Sequence, residues 1–167
     1  MSTDRLRSWG TELRAVHARL REALALARET VEDSDAMGST GAAGPAGTAG
    51  AASRDLLLYC WGFCAALSGH HRSEDAALFP QIEAAHPDLA PVLQGLTRDH
   101  SMLDHLIGEL GRTLEAGALR EETLRHLDGI EAVMETHFRF EEKQLISVLD
   151  ALDLPDGGRQ HYLGPLV

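Results

Sequence analysis

The chain has 167 residues, 44% of them hydrophobic and only 5% aromatic, which suits a single domain spanning 1–167 with a substantial core. A formal net charge of -11 argues against nucleic acid and an anionic membrane surface as partners, because binding either needs clustered Lys and Arg. No apolar run reaches the length of a membrane span, and Met1-Ser2-Thr3-Asp4-Arg5 lacks the apolar stretch of a signal peptide. The expectation is a cytoplasmic protein with no nucleic-acid and no membrane partner.

Leu, Ala, Glu and Arg dominate and β-branched residues are few, which is helical usage. Residues 3–33 read as a first helix, with Leu6, Trp9, Leu13, Val16, Leu20, Leu24, Ala27 and Val31 stepping by three or four and His17 bordering that stripe. Residues 38–51 are rich in Gly and Ala and read as a flexible linker. A second helix spans 52–85 on the stripe Leu56, Cys60, Phe63, Leu67, His70, Glu74, Leu78 and Ile82, and His86-Pro87 ends it, because the residue before proline avoids helical geometry. A third runs from about 88 to 115, with Asp88 as a cap and Pro91 in the first turn; its stripe is Leu93, Leu96, His100, Leu103, Ile107, Leu110 and Leu114. A fourth spans about 119–151 on Leu124, Leu127, Ile130, Met134, His137, Glu141, Leu145, Leu149 and Leu152. The tail, 153–167, reads as irregular, with Tyr162, Leu163 and Leu166 able to dock on the bundle. The fold class is therefore all-α, an up-down-up-down antiparallel four-helix bundle.

His17, His70, Glu74, His100, His137 and Glu141 all lie on or beside these apolar stripes, about 12 to 22 residues into their helices. In an antiparallel bundle such mid-height, inward positions meet in one layer. A single histidine on an apolar face is most often a hydrogen-bonded core residue. A buried unpaired carboxylate is expensive, however, and two of them, each four residues after a histidine, call for bound cations. His71 and Asp75 repeat the spacing of four but point about 100° away from His70 and Glu74, leaving His71 a supporting role around the site at most. Glu142 sits about 140° from His137, against about 40° for Glu141; His105 is likewise about 140° from His100 and falls outside the site. Asp104 is on the right face for a ligand or a hydrogen-bond partner, while His86, His126 and His161 read as surface histidines. Cys60 and Cys64 read as small buried hydrophobes, the alternative being a redox pair. Imidazole and carboxylate without thiolate suit iron or manganese, with zinc as a further alternative, and this many ligands suit two ions with the carboxylates bridging them. Ferritin-like bundles use Glu-x-x-His motifs, and only Glu83-Ala84-Ala85-His86 at a helix end matches one.

Leu13-Arg14-Ala15-Val16-His17, His70-His71-Arg72-Ser73-Glu74-Asp75 with Leu78-Phe79-Pro80, Asp99-His100 and His137-Phe138-Arg139-Phe140-Glu141-Glu142 together resemble the hemerythrin-like, or HHE cation-binding, family over residues 4–150. The resemblance implies a bundle holding two iron ions in a non-haem, oxo- or hydroxo-bridged centre that meets oxygen, nitric oxide or peroxide. Two departures stand out. Oxygen-carrying members have a fifth histidine where this chain has Asp104, and their last carboxylate is usually Asp five residues after the final histidine, where Glu141 at four fits better here. One imidazole fewer opens a coordination position and argues against reversible oxygen transport. The expected function is binding of, or reaction with, small oxidants in sensing or detoxification. The alternatives are a di-iron oxidase or oxygenase with an organic substrate, and iron storage or a metal-stapled structural bundle. The sequence says nothing of the oligomeric state.

Overall fold

The structure, a computed structural model, describes residues 8–33, 47–118, 120–155 and 157–165, with α2 side chains from residue 57 onward. The described residues form helices and no strand: α1 (Trp9–Asp33), α2 (Gly47–Ser73), a π-helical turn (Glu74–Leu78), α3 (Phe79–Ala85), a 3-10 turn (Pro87–Leu89), α4 (Ala90–Glu115), α5 (Arg120–Ala151) and α6 (Gly158–Leu163). None is long and apolar enough to cross a membrane among the described residues.

The stripes bury as their periodicity demands. Leu13, Val16, Leu20, Leu24, Ala27 and Val31 close off α1, and Leu93, Leu96, Leu103 and Leu110 close off α4. On α5 the buried face carries Leu127, Ile130, Met134, Leu145 and Leu149, and it includes Phe138, which the stripe omitted. α1 packs against α2 and α5, and α4 packs against the same two helices, so α2 and α5 face each other across the core. Hydrogen bonds and ion pairs step down α5 as they climb α1: Gly10 N–H donates to Asp150 at 3.1 Å, Arg21 reaches Glu135 at 2.5 Å, and Arg28 reaches Asp128 at 2.6 Å. α1 and α5 therefore run in opposite directions.

The helix ends follow local chemistry. At His86 the backbone leaves the helical region (φ -135°, ψ 74°), as a residue before proline must. α4 ends in paired bonds, Gly117 N–H to Leu114 C=O and Ala118 N–H to Thr113 C=O, both at 3.1 Å. Gly117 at φ +71° makes that reversal without a Cβ clash.

Several expected boundaries are corrected. Residues 38–46 of the linker, Leu6, Leu166 and the side chain of Leu56 lie outside the described residues, but 47–51 of the linker are helical and open α2. Asp88 does not cap α4; it sits in the 3-10 turn, and Leu89 at the helix start makes no side-chain cap bond. The tail is not wholly irregular, because Gly158–Leu163 forms α6 and buries Tyr162 and Leu163. A six-residue amphipathic stretch between glycines carries too little periodicity to stand out, and packing rather than propensity stabilises it.

Candidate metal centre

The core is interrupted at mid-height by a polar layer. His17, His70, His71, Glu74, His100, His137 and Glu141 are each at most 2% exposed, surrounded by Leu, Ile and Phe. The side chains gather as two adjoining groups, His17, His70, Glu74 and Glu141 in one, and His71, His100 and His137 in the other; within each group one ligand atom per residue lies within 4.8 Å of the rest. All of His17, His70, Glu74, His100, His137 and Glu141 are thus brought to this layer. His105 is exposed and lies 4.0 Å from Glu109 on its own helix, and Asp104 is exposed, accepting a 2.8 Å hydrogen bond from Ser68. Neither joins the layer.

Outer contacts orient most of the rings. His17 Nδ1 meets Glu142 at 2.8 Å, His70 Nδ1 the carbonyl of Leu163 at 2.9 Å, and His100 Nδ1 the Asp75 carboxylate at 2.9 Å. Asp99 lies 3.5 Å from His137 Nδ1. Carbonyls and carboxylates only accept, so the Nδ1 of His17, His70 and His100 carries the hydrogen and, in the neutral ring, Nε2 is left as a bare lone pair. Those Nε2 atoms all turn inward. His17 Nε2 is 3.2 Å from Glu141, His70 Nε2 is 3.2 Å from Glu74, and His100 Nε2 is 3.2 Å from His137 Nε2. The histidine–carboxylate contacts are close but lack the alignment of hydrogen bonds, and all four oxygens of Glu74 and Glu141 remain without a hydrogen-bond partner. His137 Nε2 can donate to His100 Nε2, but at the histidine–carboxylate contacts acceptors face acceptors in a dry interior and need a cation, or protons, between them.

The electrostatics of the metal-free layer show the same conflict. Burial, reinforced by the negative charge of Glu141, pushes the Glu74 carboxyl well above the usual carboxylate range. Burial also depresses His70 to about 3, with the neighbouring His17 adding to the effect, so His70 stays neutral and its inward nitrogen unprotonated. For His17, burial opposes charge, but contacts with Glu141 and Glu142 outweigh it and raise the imidazole. Glu141 is held down to about 2: burial opposes ionisation, but His17 and the other imidazoles overcome it. The shifts of His17 and Glu74 both favour a proton in the place that a cation would fill.

The fit to a metal rests on these unpartnered buried nitrogens and oxygens and on the donor set. Imidazole and carboxylate without sulfur suit iron, manganese or zinc. Cys60 and Cys64 stand apart, and burial pushes their thiols up to about 11 and about 12, which leaves them small hydrophobes with little thiolate character. The π-helical turn opens at Glu74, and with its larger number of residues per turn both Leu78 and Phe79 are buried, Phe79 stacking against His100 at 5.5 Å. Phe138 stacks on His17 at 3.8 Å and closes the opposite side.

The sequence reading missed His71 as a member of the layer, along with the orienting roles of Asp75, Glu142 and the tail. His70 and His71 differ by about 100° around α2, so the pair straddles the direction toward α5 and both rings enter the core. The His70-His71 doublet was itself the available signal. For Asp75 and Glu142 it was the residue following each inward glutamate. Nothing in the sequence pointed to the Leu163 carbonyl.

A helical bundle with a buried, orphaned set of imidazoles and carboxylates defines a cation-binding helical domain. The chain belongs to the hemerythrin HHE cation-binding domain family, whose model matches residues 11–151. No curated protein and no solved structure gives a significant match.

The tail contact provides a test of how the site is held. Gly164 has φ +81°, and a Cβ there would stand 2.7 Å from His70 Cα. Gly164→Val is expected to unseat the segment and remove the Leu163 acceptor from His70. Loss of such an orienting contact lowers metal affinity by about 10–100-fold. Competition titration with a chromogenic zinc chelator measures it, and circular dichroism should show the helices retained. Unchanged affinity would mean that the tail does not orient His70.

Proposed function

We propose that this chain is a non-haem di-iron-binding protein that binds or reacts with small oxidants (oxygen, nitric oxide or peroxide) in sensing or detoxification. The observation that carries the reading is the His70–Glu74 contact: an imidazole whose Nδ1 hydrogen is committed to Leu163 turns its bare Nε2 toward a buried carboxylate oxygen 3.2 Å away. With His17 and Glu141 beside it and His100 and His137 across the layer, the donors suffice for two ions. Two iron ions held there would supply one-electron exchange with a bound oxidant. The chain's own residues do the rest. Glu74 and Glu141 supply the negative charge, His17, His70, His100 and His137 the neutral donors, and Phe79 and Phe138 the apolar walls that limit water.

In this reading residues 1–167 form one cytoplasmic domain, an up-down-up-down antiparallel four-helix bundle. The order of paired residues supports that topology: Gly10 with Asp150 and Arg28 with Asp128, Ser68 with Asp104 and Asp75 with Thr97, His100 with His137 and Thr113 with His126.

A second reading, a di-iron oxidase or oxygenase with an organic substrate, draws support from an open cavity of about 390 Å³ lined by Asp75, Phe79, Leu93, Thr97 and Arg98. That volume suits a small molecule, and Asp75 and Phe79 both touch His100. Steady-state turnover with peroxide against candidate organic substrates separates the two.

The ligand assignment is tested by substitution. His70→Ala and His137→Ala should each lower the metal bound per chain, measured by inductively coupled plasma emission, whereas His105→Ala should leave it unchanged. A full complement in His70→Ala together with an empty site in His105→Ala would refute the assignment.

A further inference from the structure

His71 is unlike the other imidazoles of the layer. It is 1% exposed, and neither of its ring nitrogens has a hydrogen-bond partner. His17, His70 and His100 each spend Nδ1 on an outer acceptor; His71 spends neither nitrogen. A neutral imidazole carries one donor and one acceptor, and leaving both unmet in an apolar core is costly. Its ring is stacked on His100 at 4.1 Å with the planes 10° apart, and stands edge-on to His137 at 5.2 Å. One nitrogen from each of these three rings falls within 4.8 Å of the other two.

We infer that His71 is the third imidazole ligand of the second ion, so that the centre is built from a carboxylate-rich half (His17, His70, Glu74, Glu141) and an all-imidazole half (His71, His100, His137). The inference rests on the two-ion reading above and adds the ligand that it lacks. It also makes the halves unequal. The first half offers two imidazoles and the second three, while both carboxylates touch both halves: Glu74 reaches His100 Nε2 at 3.5 Å as well as His70, and Glu141 reaches His137 Nε2 at 3.8 Å as well as His17.

Zinc added to metal-free full-length protein tests this without any turnover assay. Wild type should retain two equivalents after desalting. His71→Phe, which keeps a planar ring stacked on His100, should retain one, with helix content unchanged by circular dichroism. Two equivalents retained by a folded His71→Phe variant would overturn the inference while leaving the two-ion reading intact. Wild type that holds fewer than two would overturn both. Should the variant not fold, nitrogen-15 histidine spectra of zinc-loaded wild type decide the matter. Five metal-shifted rings (His17, His70, His71, His100 and His137) support the inference, and four with His71 unshifted overturn it.

Discussion

Metal-free protein carrying Glu74→Leu together with Glu141→Leu should melt at a higher temperature than metal-free wild type, although it can no longer bind metal. Both glutamates are fully buried, and none of their four oxygens has a hydrogen-bond partner. Without an ion, folding must strip water from both carboxyls, and it raises Glu74 and His17 toward their protonated forms, His17 against Glu141 at 3.2 Å. Leucine fills similar volume and joins Leu13, Leu67, Leu78 and Leu145 with no such conflict. Replacing a buried ionic set by apolar residues commonly stabilises by about 1–4 kcal/mol. At this chain length that corresponds to a rise of about 2–16 °C. Thermal unfolding of both proteins after chelation is the measurement. A double mutant that melts lower would mean that the glutamates stabilise the empty fold, and the cation-compensation argument would fail.

Metal should stabilise wild type as well, raising its melting temperature by an amount that shrinks as pH falls. A ligand that binds only the folded chain at a thousandfold over its dissociation constant adds about 4 kcal/mol. Before an ion can enter, any proton on Glu74 or His17 must leave. Both groups are raised in the folded metal-free protein, Glu74 chiefly by burial and His17 by Glu141 and Glu142 against its burial. Where both are protonated, each proton displaced costs about 1.4 kcal/mol of binding per pH unit of acidification. The metal-free fold has its own pH dependence. His70 is depressed by burial to about 3, so the unfolded chain takes up a proton below about 6.5 that the folded chain refuses, and stability is lost from there down toward 3. The raised Glu74 acts in the other sense: its contribution is fully present below about 4.5 and is lost as pH rises through its folded value. Melting curves with and without zinc from about pH 8 to about pH 5 read the gap between the two forms directly. A gap independent of pH would show that no protons are displaced and that the ion sits elsewhere.

Much of this was legible from the residues alone, for identifiable reasons. Helical periodicity placed Leu13, Leu20, Leu96, Leu103, Ile130 and Leu145 in the core, because an amphipathic stripe has only one way to face inward. The same stripes carried His17, His70, Glu74, His100, His137 and Glu141 to one layer. The His71 reading failed because facing was judged against a single inward direction. α2 lies across the core from α5, with α1 and α4 on its flanks, and a layer this wide has two inward directions separated by about one residue step. Orienting contacts were less visible still. Glu142 and Asp75 reach inward from positions just off the stripe, and the Leu163 carbonyl is backbone, which a sequence pattern does not display. The π-helical turn at Glu74–Leu78 has no compositional signature; it forms because it lets Leu78 and Phe79 bury together.

Metal content and the optical spectrum of the full chain, expressed with iron and purified without air, test the central claim most directly. The expected result is two iron ions per chain, with near-ultraviolet charge-transfer absorption appearing on controlled oxidation and changing when nitric oxide or peroxide is added. Protein that holds no iron, or iron that is lost on desalting and gives no absorption on oxidation, would contradict it.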